Sequence, residues 1–319
     1  MSPSIKLGLY AGLSVASTCL ALVLLAPPNA PAAPAAPAAV HATTATLVAT
    51  VTGADALDAV PDPAGRTIFF TTDGPGGPAI MRVPAGGGSV RTVFAGAPLV
   101  DPTGLAVAAD GRRLFVADAG AGRILVVSRD GRTVRSLPGS RGTRPRGLDV
   151  QLRGAAQRLV FTGVDPADGK PAVLALGTSG APRPTVLAKG APLRRPQGVA
   201  IAGDGAVYVS DRGLGRRLDG RVFKLAGSQV TTIARGIRLG NPAGIALTRD
   251  DATLLVSSLA PAAGTAQVLL VNTATLATST FDDVIRANRA AGGLHRGLRT
   301  SVMAWADVQR PGRVYRVDP

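Results

Sequence analysis

The chain has 319 residues and carries 35 lysines and arginines against 20 acidic residues, all of which are aspartate. Its single cysteine excludes an intrachain disulfide and a thiolate metal cluster, and the lack of glutamate excludes a glutamate acid or metal ligand. The 40 glycines and 25 prolines, with few lysines and no glutamate, predict many short strands joined by tight turns rather than helices.

The first 42 residues are predicted to lie outside the folded body. An uncharged apolar run over 7–25 follows Lys6, and a Pro/Ala tract follows over 26–40. This order is typical of a secretory signal peptide with an extended linker, and the small residues around His41 offer a cleavage site before Thr43. The alternative is an uncleaved membrane anchor on a Pro/Ala stalk, since 19 residues can just span a bilayer. Both readings predict an extracytoplasmic body, secreted, periplasmic or on the cell surface.

Residues 43–319 contain a repeated turn of the form P-x-G followed by an apolar residue. Gly293-Leu294 is a weaker copy, and Asp58-Ala59 occupies the same slot in the first repeat. Successive anchors lie 43 to 51 residues apart, which is the length of a four-stranded propeller blade. The four full copies begin at Pro102, Pro145, Pro196 and Pro242.

Three short runs rich in Val, Leu, Ile and Thr follow each anchor, as in 113–118, 123–127 and 133–137 of the second repeat. The sixth repeat lacks its last run, and residues 46–51 before the first anchor can supply it. The sequence therefore predicts an all-β fold, a six-bladed β-propeller closed by an N-terminal strand that completes the last blade. A β-sandwich with accidental periodicity is the alternative.

The P-x-G turn, the following D-G-R turn and a strand ending in V-A-D or V-S-D resemble NHL repeats. They also resemble the senescence marker protein/gluconolactonase family of six-bladed propellers, and the likeness covers 46–319. That resemblance implies a lactonase with one divalent cation, such as calcium, at the mouth of the central channel. None of the positions that match its metal ligands is a carboxylate, so we expect no bound cofactor; these positions are Leu57, Thr103, Arg146, Gln197, Ala243 and Gly292.

A second set of candidates follows from the inner strands. His295 is the one histidine of the body and a weak candidate for a catalytic base; the alternative is a structural histidine bonded to backbone. Gln197, Asn241 and Asp149 are predicted to lie with it at the channel mouth. Aspartates recur where the second strand of a repeat ends, and we expect them to accept backbone N–H bonds in the adjoining turns, as at Asp73, Asp118, Asp211 and Asp307.

The positive charge is concentrated in the third and fourth repeats. Residues 141–240 contain 17 basic and six acidic residues, and propeller topology brings the relevant loops to one face. Guanidinium groups bind carboxylate, phosphate and sulfate bidentately, so this face is a predicted anion-binding site. Solvated arginine-rich loops are the alternative. The predicted ligand-binding residues are Arg144, Arg146, Arg194, Arg195, Arg212, Arg216 and Arg217.

Two functions remain open from the sequence. The first is an extracytoplasmic binding module, acting as a monomer, for an anionic small molecule, a cell-envelope polymer or another protein. The second is a divergent gluconolactonase-like hydrolase at the channel mouth. We expect no nucleic-acid partner, because the basic loops lack interleaved aromatic residues for base stacking. We expect membrane contact only through an uncleaved N-terminal segment.

Overall fold

A computed structural model describes residues 44–180, 182–214, 219–281 and 291–319. The predicted signal peptide and linker, together with Arg216 and Arg217, lie outside the described residues. Within that part of the chain every regular element is a strand, and no helix is long and apolar enough to cross a membrane. The all-β prediction is confirmed.

The strands are numbered in chain order and fall into six sets. Set 1 is β2–β5, set 2 is β6–β9, set 3 is β10–β13, set 4 is β14–β17, set 5 is β18–β21, and set 6 is β22–β24 with β1. Neighbouring strands within each set are antiparallel. The bounds are β1 Thr44–Val51, β2 Asp55–Pro61, β3 Thr67–Asp73, β4 Ala79–Pro84, β5 Arg91–Ala95, β6 Pro102–Val107, β7 Arg113–Asp118, β8 Arg123–Ser128, β9 Val134–Ser136, β10 Leu148–Arg153, β11 Ala156–Val164, β12 Pro171–Gly177, β13 Thr185–Lys189, β14 Pro196–Ile201, β15 Val207–Asp211, β16 Gly220–Ala226, β17 Gln229–Leu239, β18 Ile245–Leu247, β19 Thr253–Leu259, β20 Ala266–Asn272, β21 Thr278–Phe281, β22 Leu294–Arg296, β23 Met303–Asp307 and β24 Gly312–Asp318.

The two ends of the described chain share one sheet. Strand β1 pairs antiparallel with β24, with Leu47 opposite Tyr315. Residues 46–51, which the sequence assigns to the sixth repeat, lie within β1. Sets 4 and 5 are joined into one larger sheet, because the end of the long strand β17 pairs with β19 through Arg238 and Leu239.

Burial decreases from the first to the fourth strand of a set. In set 2, β6 is almost wholly buried, whereas the short β9 is largely exposed. The second strand β7, a near-continuous apolar run, is buried on both faces. Each first strand packs against the first strand of the next set, and β22 packs against β2.

The apolar core lies between the sets rather than inside them. There are six buried clusters. Five combine side chains from two sets that follow each other in the chain, and the last combines set 6 with set 1. In that last cluster Val48 of β1 and Ala304 of β23 pack with Phe70 of β3. Every sheet therefore contributes both of its faces to the core.

The glycine of the P-x-G turn allows neighbouring first strands to approach closely. A Cβ placed on Gly104 would lie 2.0 Å from the carbonyl oxygen of Arg146, and one on Gly147 would lie 2.3 Å from that of Gln197. Either distance is far below van der Waals contact, so only glycine fits. The recurrence of this residue in the sequence thus has a packing cause.

Two of the strand-end aspartates, Asp118 and Asp211, hold turns at one end of their sets, whereas the carboxylate oxygens of Asp307 have no hydrogen-bond partner among the described residues. Asp118 accepts the amides of Val100 and Asp101 at 2.9 Å and that of Ala121 at 3.0 Å. Asp211, two sets later, accepts the amides of Arg194 and Arg195 in the same way. These bonds fasten the start of a first strand to the end of the second strand of the same set.

Candidate functional site

A cavity of about 490 Å³ lies where the ends of the first strands of sets 3 to 6 meet; we call it the histidine cavity. Asp149 of β10 and His295 of β22 both line it. Ala200 of β14 and Ala246 of β18 occupy the equivalent positions of the two intervening strands and also line it. Because alanine fills so little volume, the space between the two polar side chains remains open.

His295 is held in one orientation. Its Nε2 lies 3.1 Å from Oδ2 of Asp58, and the imidazole is 5% exposed. The same Oδ2 accepts the amide of Leu105 at 2.7 Å, and Oδ1 accepts the amide of Ala59 at 3.0 Å. Since an ionised carboxylate only accepts, Nε2 carries the hydrogen and donates it, which leaves Nδ1 as the acceptor of the neutral ring.

The histidine titrates in a field of two carboxylates. Burial alone would lower the pKa of His295, but the charges of Asp58 and Asp149 together outweigh it, and the net result is a raised pKa. Burial raises the pKa of Asp149, and the charges of His295 and Arg296 only partly oppose it. Both groups therefore retain a proton more readily than they do in water.

Arg296, a charged residue that also lines the histidine cavity, forms hydrogen bonds with backbone carbonyls. Its Nε donates to the carbonyl of Leu247 at 2.8 Å, and one terminal nitrogen donates to the carbonyls of Gly297 and Thr300 at 3.2 and 3.1 Å. These bonds pin the turn after β22. Two exposed charged residues, Arg153 and Asp204, line the cavity where it opens to solvent.

The opposite end of the first strands carries the predicted arginines. Gln197 lies near the start of β14 and Ala200 near its end, three residues apart, or about 10 Å along a strand. Arg146, just before β10, is half-buried at this starting end. We call the group of Arg144, Arg146, Arg194, Arg195 and Arg212 the arginine end.

The arginine end holds like charges close together. Burial lowers the pKa of Arg146, and the charges of Arg195 and Arg212 lower it further, while Asp101 opposes them. The amide of Arg212 donates to the carbonyl of Arg195 at 3.1 Å, which places these two neighbours side by side. Among the described residues, no carboxylate lies within 4.0 Å of a guanidinium nitrogen of these five arginines.

Gln197 adds a buried donor at this end. Its side chain is 1% exposed, and no described group forms a hydrogen bond with its Nε2. Its main-chain carbonyl accepts the amide of Gly147 at 3.0 Å and the hydroxyl of Thr162. A buried amide donor without a partner costs on the order of 1–3 kcal/mol, so an acceptor from a ligand or water would recover that loss.

The structure therefore separates the predicted site residues into two groups. His295 and Asp149 line the histidine cavity, whereas Gln197 and the exposed Asn241 lie at the starting ends of first strands and do not line it. Sequence reasoning missed Asp58 as a functional side chain. The available signal was an acidic residue in an inner-strand slot that is glycine in the other repeats.

The positions that match the lactonase ligands do not form a metal site. The Thr103 hydroxyl donates to the carbonyls of Ala117 and Arg146 at 3.4 Å, and Arg146 brings a positive charge to the same end. In the described part of the chain, no group of three or more His, Cys, Asp or Glu side chains converges as metal ligands would. The donor set is thus unsuited to a hard divalent cation.

No protein-family model matches the chain, and no curated protein matches it. Solved structures do. The PQQ-bound aldose sugar dehydrogenase of Streptomyces coelicolor has a TM-score of 0.61 at 12% identity, covering 87% of this chain and 98% of that one. A gluconolactonase of Xanthomonas campestris has a TM-score of 0.52 at 16% identity, covering 87% and 99%.

A third similar structure comes from a nidogen/laminin complex, with a TM-score of 0.57 at 20% identity, covering 71% of this chain and 79% of that one. A fourth is the β-propeller domain of Cps50 (Swd1), at 0.54 and 9% identity. The predicted resemblance to such propellers is confirmed at the level of fold. Because a scaffold of this kind supports many unrelated activities, similarity at these low identities indicates the fold and not the activity.

Proposed function

We propose that this protein is an extracytoplasmic binding module that holds an anionic ligand at the arginine end. The observation that carries the proposal is the cluster of Arg146, Arg195 and Arg212, in which no described carboxylate neutralises the charge by ion pairing. Like charges held together are destabilising unless an anion lies between them. A ligand with carboxylate, phosphate or sulfate groups supplies that anion.

The buried donor of Gln197 favours a ligand that reaches inward. An oxyanion group seated between the guanidinium groups can also accept from Nε2, which otherwise has no partner among the described residues. Exposed Arg144 and Arg194 lie farther out and suit further anionic groups of a larger ligand or polymer. The module therefore accommodates either a small acidic molecule or the acidic unit of a cell-envelope polymer, or an acidic surface on a protein.

We further propose that the six sets are six blades of a closed propeller. Support comes from the cyclic packing of the first strands, from the six clusters between consecutive sets, and from the pairing of β1 with β24. Closure of this kind removes the free sheet edges that would otherwise invite aggregation. It also positions the arginine end and the histidine cavity at opposite ends of one central axis.

We also propose that residues 1–42 direct the chain out of the cytoplasm. Support comes from the charge, apolar run and Pro/Ala tract of that segment. The mass of the mature protein distinguishes the two forms. A mature N-terminus at Thr43 supports cleavage, full-length protein in the membrane fraction supports an anchor, and full-length protein in the cytosol contradicts the proposal.

The rival function, a gluconolactonase-like hydrolase, has less support. The matching positions lack carboxylates, and Arg146 would repel a divalent cation at that end. Lactone hydrolysis measured with and without EDTA tests it directly. EDTA-sensitive turnover would revive the metal-dependent reading.

The anion-binding proposal is tested by charge neutralisation. The variant Arg144→Gln, Arg146→Gln, Arg194→Gln and Arg195→Gln removes four charges from the arginine end. We expect its affinity for polyphosphate and for a sulfated polysaccharide to fall at least about tenfold and to become less sensitive to salt.

A matched control removes four exposed arginines from sets 1 and 2, Arg91, Arg112, Arg132 and Arg135. It has the same net charge as the test variant. An equal loss of affinity in both variants would show that binding follows overall charge, which contradicts a site at the arginine end.

A further inference from the structure

The histidine cavity is a second, chemically different concavity, independent of the arginine end. Its lining mixes polar and charged residues with aliphatic ones, among which Ile201 and Leu298 are partly exposed. Its volume of about 490 Å³ lies within the range of small-molecule sites in proteins. The aliphatic part of this lining suits the hydrocarbon part of a ligand, so the polar groups decide what its head must be.

The polar groups offer hydrogen-bond acceptors. His295 is 95% buried, and its Nε2 is committed to Asp58, so Nδ1 is the acceptor of the neutral ring. No described residue forms a hydrogen bond with Nδ1. Because Asp58 is itself fixed by the amides of Leu105 and Ala59, the ring cannot turn to reverse these roles.

Asp149 supplies the second acceptor. Its Oδ1 accepts the amide of Val150 at 2.7 Å, and no described residue forms an ion pair with its carboxylate. The guanidinium group of the nearby Arg296 donates hydrogen bonds to three backbone carbonyls. Above the raised pKa values of both groups, the deep part of the cavity thus combines the ionised carboxylate of Asp149, the neutral ring of His295 and the carboxylate of Asp58 behind that ring.

We propose that the histidine cavity binds a small primary alkylammonium ion, whose charged head donates to Asp149 and to Nδ1 of His295 while its carbon chain lies on the aliphatic part of the lining. An ammonium group has three donors and no acceptor, which matches a cavity lined by two acceptors. A carboxylate or phosphate would meet the carboxylates of Asp149 and Asp58 instead.

Proton linkage gives the site a pH signature. The ammonium binds the form in which His295 is neutral and Asp149 is ionised, and both groups have a raised pKa. Binding therefore displaces protons, and affinity rises with pH, by up to about tenfold per unit for each proton displaced. The charged groups around the site are Asp58 of β2, Asp149 of β10 and Arg296 of β22, with Arg153 and Asp204 at the opening.

The experiment uses n-butylammonium as the probe and 1-butanol as its neutral counterpart. The chain has two histidines, so the imidazole C2–H signals in a proton NMR spectrum are few, and the variant His41→Gln assigns them. We expect saturable shifts of the His295 signal with butylammonium and at least about tenfold weaker binding of butanol. Calorimetric titration of the full chain gives the affinities.

The variant Asp149→Asn preserves size and removes the charge, and we expect it to weaken butylammonium binding at least about tenfold. The control Asp130→Asn makes the same charge change at an exposed hairpin turn and should bind normally. A thermal melt of each variant confirms folding. Equal affinities for butylammonium and butanol, an unchanged affinity in Asp149→Asn, or an affinity that falls as pH rises would each overturn the proposal.

Discussion

The imidazole Nε2 of His295 lies 3.1 Å from Oδ2 of Asp58, and this contact joins the first strand of set 6 to the first strand of set 1. The same carboxylate reaches Leu105 in the first strand of set 2. One side chain therefore connects the first strands of three sets. Its removal tests how much this connection contributes to stability.

Asp58→Ala is expected to lower the free energy of unfolding by about 3 kcal/mol, because the amides of Ala59 and Leu105 and the ring of His295 lose their acceptor. Trp305, the single tryptophan and wholly buried, reports unfolding by fluorescence. The control Asp55→Ala removes a partly exposed ion pair with Arg310 and should cost under about 1 kcal/mol. Equal losses in the two variants would contradict a central role for Asp58.

Gly293→Ala is expected to displace the Asp58 carboxylate, since the new Cβ would lie 1.6 Å from its Oδ1. We expect a loss of about 2 kcal/mol in stability and a lower pKa for His295, followed by NMR titration. Gly76→Ala is the matched control, because a Cβ there meets nothing within 4 Å. A destabilised Gly293→Ala variant with an unchanged His295 pKa would show that the carboxylate does not govern the ring.

The pH dependence of stability should reveal His295. Its pKa in the folded protein is raised above the ordinary value of 6.5, so its contribution is fully present below about pH 6.5 and is lost as pH rises through the folded pKa. The difference in melting temperature between the natural chain and His295→Gln should therefore narrow as pH rises above about 6.5. A difference that widens over this range would reverse the sign of the linkage.

Asp307 should behave in a way that sets it apart from other strand-end aspartates. Burial raises its pKa to about 7, against the opposing charge of Arg313. Above that pH the folded protein carries a buried ionised carboxylate, which costs stability, whereas well below the ordinary pKa of 3.8 the group is protonated in both states. Asp307→Asn should therefore raise the melting temperature at about pH 8 and change it little at about pH 2.5.

The exposed Asp130→Asn variant is the control for that measurement. A hydrogen bond from Ser128 lowers the pKa of Asp130, so this carboxylate does not share the alkaline penalty. The difference in melting temperature between this control and the natural chain should stay small across the same pH range. A loss of stability in Asp307→Asn at about pH 8 would show that its carboxylate is needed in ionised form.

The strands were largely predictable because their signal is local. The predicted run 113–118 coincides with β7 at both ends, and the run 123–127 matches β8 to within one residue, since apolar residues bounded by turn residues fix such strands. The length of β17 could not be predicted in this way, because the strand continues to Leu239 to pair with β19. That extension depends on a partner 20 residues away, which no local pattern encodes.

The candidate site was less predictable. His295 stood out as the one histidine of the body, and Asp149 shared its strand position, so the sequence could place them together. Asp58 escaped notice because the first repeat lacks the P-x-G turn and β2 has a register shift between Ala56 and Asp58. Within the described part of the chain Nε2 of Gln197 has no hydrogen-bond partner, and this depends on packing between strands from different sets, which composition and spacing do not report.

The placement of the core between sets has a consequence for how the chain can vary. A sheet whose two faces both belong to shared clusters has no interior of its own, as with Phe69 and Phe70 of β3, which serve different clusters. Deleting one repeat would uncover an apolar surface on each of its neighbours. Gain or loss of a repeat therefore requires two apolar interfaces to be rebuilt together, so we expect repeat number to change less readily than the loops between strands.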